Sequence, residues 1–69
     1  MDITFKIDFE KIYTVDEISD AIRLERQTVI KEIKAGKIPA YKLASRMYRV
    51  MGSDLMKYLE NCFVEVKTW

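Results

Sequence analysis

Histidine is absent and cysteine occurs once, at Cys62. A single cysteine closes no internal disulfide, and structural zinc needs several Cys or His ligands, so both devices are excluded. No apolar run approaches the roughly 18 residues of a membrane span, and no signal peptide opens the chain. The expected setting is a reducing cytoplasm, with nucleoid association and no membrane. The phosphate-cradling patterns G-x-x-x-x-G-K-S/T and G-x-G-x-x-G are missing, and no nucleophile has a histidine partner. The carboxylates cluster at expected helix starts, where capping accounts for them. No enzyme, cofactor or metal is expected.

What remains is an ordinary globular mixture of 69 residues, 49% hydrophobic and 33% charged, which suits one small domain over 1–69. A core that small is marginal and demands efficient packing or a partner. The net charge is only +1, but its distribution is uneven. Residues 1–22 set two lysines against six carboxylates, a balance of −4. Residues 23–49 set eight Lys and Arg against two Glu, a balance of +6. Residues 50–69 set two lysines against three carboxylates, a balance of −1. A basic middle between acidic ends is the asymmetry of a polyanion-binding face. A merely solvated surface would explain mixed signs more easily than this block.

Ile3, Phe5, Ile7 and Phe9 alternate with polar residues, which predicts a strand over 3–9. Residues 10–13 then link to a first helix. Thr14 and Glu17 form a capping box, with Tyr13 and Ile18 in the flanking staple positions. Val15, Ile18, Ala21 and Ile22 recur at helical spacing, and the helix ends near Ile22 or Arg23. After a tight turn a second helix runs over 25–35. Val29, Ile30 and Ile33 form its buried side. Gln27, Thr28, Lys31 and Ala35 lie opposite, all polar, basic or small. Gly36 stops it.

Ile38-Pro39-Ala40 interrupts the helical pattern. Tyr41 and Leu43 alternate with Lys42, and Tyr48 and Val50 with Arg49, which predicts a hairpin turning at Ala44-Ser45. Neither Asn-Gly nor Asp-Gly marks that turn. The two tyrosines are expected to pack the hairpin onto the core. Ser53 is the expected N-cap of a third helix, with Leu55, Tyr58, Leu59 and Cys62 at core spacing. Cys62 is thus expected to be buried or half-buried. Val64 and Val66 alternate with Glu65 and Lys67, predicting a closing strand over 63–68.

Two helices joined by a tight turn, then a hairpin, are the parts of a winged helix-turn-helix. The motifs T-V-D-E-I-S, E-R-Q-T-V, A-G-K-I-P-A-Y-K, Y-R-V and S-D-L-M-K-Y-L sharpen this. In that order they resemble the excisionase-type small DNA-binding domains, part of the wider mercury-regulator-like (MerR-like) winged-helix group. The resemblance spans Thr14–Asn61, about 48 of 69 residues, and A-G-K-I-P-A-Y-K is its most diagnostic piece. The chain departs from the family at Arg23 (glycine in the helix–helix turn), Glu25 (serine cap) and Ala44-Ser45 (Gly-Gly at the wing tip).

The expected fold class is therefore α+β: a small winged helix-turn-helix with three helices, a β-hairpin wing and extra terminal strands, its family-like core at 13–61. The resemblance implies sequence-specific binding of double-stranded DNA, with the second helix in the major groove. Gln27 and Thr28 would meet base edges, and Lys31 guanine or backbone. Arg26 and Lys34 would position phosphates. Lys42, Ser45, Arg46 and Arg49 would supply the wing's contacts to the minor groove or its phosphates. The implied biology is that of a recombination directionality factor of a mobile genetic element, or of a small transcription regulator. The implied partners are a recombinase (integrase) or RNA polymerase, with a homodimer or cooperative oligomer on DNA. A protein adaptor or anti-repressor built on the same fold is the alternative.

Overall fold

The computed structural model describes residues 6–64. Its elements in chain order are β1 (Ile12–Thr14), α1 (Val15–Ile22), α2 (Arg26–Lys34), β2 (Tyr41–Leu43), β3 (Met47–Met51) and α3 (Gly52–Cys62). Three helices and a three-stranded antiparallel sheet of order β1-β3-β2 make a small winged helix-turn-helix.

The start of α1 follows from its local sequence. Glu17 N–H donates to the Thr14 hydroxyl at 3.1 Å, and Thr14 N–H donates to the Glu17 carboxylate at 2.9 Å. Both otherwise unpaired donors are satisfied, which typically contributes about 1 kcal/mol. Tyr13 and Ile18, the staple pair, are both buried. At the other end Arg23 sits in the left-handed region with φ 55°, the position where the family carries glycine. Its backbone N–H and that of Leu24 return to the Ser19 carbonyl. The Ser19 hydroxyl in turn donates to the Leu24 carbonyl at 2.5 Å. That closed turn sets the angle at which α2 leaves α1.

α2 buries Val29 completely and Ile33 nearly so, with Ile30 packed alongside. Gly36 follows with φ 78°, a conformation that stops a helix without steric cost only for glycine. Behind α2, the Tyr58 hydroxyl of α3 donates to Glu32 at 2.7 Å. Burial, and then the Glu32 carboxylate, push the Tyr58 hydroxyl well above the ordinary phenol range, so it stays a donor. The core joins Val15 and Ile18 of α1, Val29 and Ile33 of α2, Val50 of β3, Leu55 of α3, and Ile38 from the loop.

Several expectations are corrected. Residues 6–9 form no strand, and residues 3–5 of that expected strand lie outside the described residues. Asp8 instead nucleates a turn. Its carboxylate accepts from Glu10 N–H and its carbonyl from Lys11 N–H; among the described residues of this run Ile7 packs against the core while Phe9 stays exposed. The first strand of the sheet is β1, which takes up the end of the expected linker (residues 12–13) and the N-cap Thr14.

Ser53 does not cap α3. The N-cap is Met51, two residues earlier, and it makes no side-chain cap bond. Backbone carbonyls do that work: Gly52 N–H donates to Lys11 at 2.8 Å and Ser53 N–H to Phe9 at 3.1 Å. The approach is so close that a Cβ on Gly52 would overlap the Asp8 carbonyl.

Cys62 is exposed. It keeps its place on the apolar stripe, but the last turn of α3 runs past the core. Phe63 and Val64 form no strand and are exposed, and residues 65–68 of the expected closing strand lie outside the described residues. Tyr41 is 62% exposed and does not pack on the core, whereas Tyr48 does. The register explains the split. Tyr48 shares a face with buried Val50, while Tyr41 lies opposite Arg49 on the other face.

Candidate nucleic-acid interface

The outer face of α2 is built by default. With Val29 and Ile33 inward, the helical period turns Gln27 and Lys31 to solvent. Thr28 is half-buried, and Lys34 is exposed in the last turn. No side chain caps the first turn of α2, because Glu25 occupies the N-cap without bonding back. A strip of amide, hydroxyl and ammonium groups therefore runs along one side of the helix.

The wing stands beside it. Leu43–Arg46 closes the hairpin, with Arg46 N–H donating to the Leu43 carbonyl at 3.1 Å. Its two central residues, Ala44 and Ser45, have φ 49° and 66°. Both values suit a primed turn, whose twist matches that of the flanking strands. Ser45 and Arg46 project at the tip, both exposed. Lys42 places its ammonium 5.9 Å from the Tyr48 ring. Arg49 is half-buried, one amino group donating to the Tyr48 carbonyl at 3.0 Å.

Between wing and helices lies an open cleft of about 300 Å3. Thr14, Val15 and Asp16 line it from the start of α1, and Arg26 and Ile30 from α2. Arg46, Met47, Tyr48 and Arg49 close it from the wing. Three of the nine residues expected to meet DNA (Arg26, Arg46 and Arg49) thus share one cleft, though they are far apart in sequence. Gln27, Thr28, Lys31 and Lys34 lie on α2 outside that cleft, as do Lys42 and Ser45 on the wing.

Sequence reasoning missed Asp16. Arg26, expected to position phosphates, donates through its Nε to Asp16 Oδ1 at 2.8 Å, back toward α1. Both side chains are largely exposed, so the pair contributes little to stability. Its effect is positional, holding the guanidinium at the cleft. Three arginines against one aspartate leave the cleft cationic. Asp16 also suits the first turn of α1 electrostatically, and no local pattern distinguishes that role from pairing ten residues onward. Lys37, also in the basic block, faces Glu32 at 3.9 Å. Among the described residues no group of carboxylate, thiol or imidazole side chains could hold a metal.

A family model described as "Helix-turn-helix domain" matches residues 12–62. The chain belongs to this helix-turn-helix family. The matched span includes every motif that carried the excisionase-type resemblance. Among curated proteins the chain is similar to the magnetosome protein MamR of Magnetospirillum gryphiswaldense, 35% identical over 49 residues. That alignment covers 71% of this chain and 57% of MamR, so the chain spans little more than half the length of this relative. No solved structure matches. No helix among the described residues is long and apolar enough to cross a membrane.

Proposed function

We propose that this helix-turn-helix protein binds double-stranded DNA sequence-specifically, as an excisionase-like directionality factor or a small transcription regulator. The observation that carries this reading is the meeting of Arg26, Arg46 and Arg49 in one cleft, beside the exposed Gln27 and Lys31 and the half-buried Thr28. α2 enters the major groove, where Gln27 pairs with adenine and Lys31 with guanine or the backbone. The arginine cleft straddles the adjoining phosphates, which set the register of the helix. The wing follows the backbone into the next minor groove.

One such module buries little DNA, so affinity rises through a second copy or a protein partner on the same duplex. Residues 6–9 and 63–64 form no strand, so their edges give no route to pairing. A recombinase or RNA polymerase is the partner class consistent with this reading. The protein-adaptor alternative has one observation in its favour: Ile12 of β1, and Phe63 and Val64 after α3, are exposed apolar side chains that do not line the cleft.

A salt titration of anisotropy on mixed-sequence duplexes separates the two. Release of counterions from about four phosphates gives a slope near −3 to −4 in log affinity against log salt. Lys31→Ala with Arg46→Ala abolishes duplex binding and leaves the circular dichroism unchanged. A flat salt response, or binding by the double variant at wild-type strength, would remove the DNA reading and favour the adaptor.

A further inference from the structure

The wing has two faces, and the outward one is not what a purely phosphate-binding hairpin requires. Leu43 and Met47 are directly paired across the strands and form the last rung before the turn. They are 46% and 45% exposed. Two residues back on the same face lies Tyr41, 62% exposed, opposite Arg49. The tip thus ends in an apolar rung with cations beside it. Met47, Arg46 and Arg49 also line the cleft opposite Arg26. The rung therefore borders, through Met47, the cleft that gathers the arginines, where α2 would engage a duplex, while Leu43 lies outside the cleft's lining.

Resting on the DNA-binding reading above, we infer that the wing tip is a wedge: Leu43 and Met47 enter the minor groove and open a base step, while Arg46 and Arg49 hold the phosphates on either side. Minor-groove walls are largely sugar, and apolar side chains inserted there unstack neighbouring bases and kink the duplex. The two-stranded ladder and the left-handed turn residues place the rung at the end of the hairpin. Neighbouring arginines draw it to a polyanion, whereas an acidic groove on another protein would leave the apolar rung without a counterpart. The functional consequence is that the protein shapes its site as well as reading it.

The test uses the full chain and a duplex of about 30 base pairs that the wild type recovers from a random pool, labelled at both ends for energy transfer. The wild type bends it by roughly 20–90°, and Leu43→Ser with Met47→Ser cuts that angle by at least about half. The serine variant still binds, with an unchanged salt slope, because its phosphate contacts are intact. Leu43→Met with Met47→Leu keeps the bend, since apolar volume is conserved. Circular dichroism of each variant matches the wild type, both sites being exposed. A serine variant that bends the duplex fully, or a wild type that binds without bending, overturns the wedge alone. So does a serine variant that changes the sedimentation of the free chain, which would assign the face to self-association. A wild type that recovers no duplex overturns the DNA reading and the wedge with it.

Discussion

The helical frame and the wing are held together by different physics. In the frame, Ile18, Val29 and Leu55 are fully buried and meet from three different helices. In the wing every residue from 39 to 47 is exposed, and order comes from the β2–β3 ladder and two left-handed turn residues. Sequence changes in the frame are therefore felt as lost stability. On the proposed reading, changes in the wing are felt as lost duplex binding. The proposed recognition surface thus lies on other residues than the core, with the Asp16–Arg26 pair and the arginine cleft at the seam.

The sharpest break of this contrast is a matched pair of truncations. Ile18→Ala leaves a cavity among all three helices and costs about 3–4 kcal/mol, while Leu43→Ala stays within about 0.5 kcal/mol. Urea denaturation of both measures the gap; equal losses would show the wing to be part of the core. Gly52→Ala comes next. Its methyl group meets the Asp8 carbonyl, which is backbone and cannot swing aside, so a loss of about 3 kcal/mol is expected. A near-neutral melting temperature would show that the turn at residues 8–11 is not seated on α3.

Thr14→Ala removes one half of the capping box and lowers stability by about 1 kcal/mol, measured by urea denaturation. Ser45→Gly runs the other way. Glycine relieves a positive φ in the wing turn and adds about 1 kcal/mol of hairpin stability, visible as slower amide exchange across β2 and β3. No gain would mean that the left-handed turn is not the strained part of the wing.

The smallest effect is a pH response confined to the frame. The backbone N–H of Thr14, and then Lys11 at 3.3 Å, hold the Glu17 carboxyl below its ordinary range. Its folded-state pKa is depressed, so its contribution is present above the unfolded value. It is lost as pH falls through the folded one. The melting temperature declines on acidification through that window, and Glu17→Gln flattens the decline. A wild type and variant with parallel pH profiles would contradict it.

Much of the fold was legible because local rules and the hydrophobic period agreed. Thr14 and Glu17 announced α1, the spacing of Val29 and Ile33 oriented α2, and Gly36 ended it. The hairpin was legible from alternation, with its tip at Ala44-Ser45. Illegible features depended on what lay opposite. Alternation over residues 3–9 looks like a strand, yet over 6–9 no neighbour pairs with it and Asp8 turns the chain. Cys62 keeps core spacing on a helix that has outrun its core. Tyr41 and Tyr48 look equivalent until the register assigns them to opposite faces. Ser53 looks like a cap until Lys11 and Phe9 supply the carbonyls. Gly52, a glycine directly between a strand and a helix start, was the local sign of the close approach there.

From sequence alone came the charge asymmetry, the solvent face of α2 and the class of fold, because each depends on composition or on a period within one element. Only the tertiary structure decided that Arg26, Arg46 and Arg49 share a cleft, that Asp16 holds one of them, and that Leu43 and Met47 form an apolar rung beside it. These are relations between segments 10 or more residues apart for Asp16 and Arg26, and between helix and wing for the arginines. Packing and register set them, and neither is written in a local pattern.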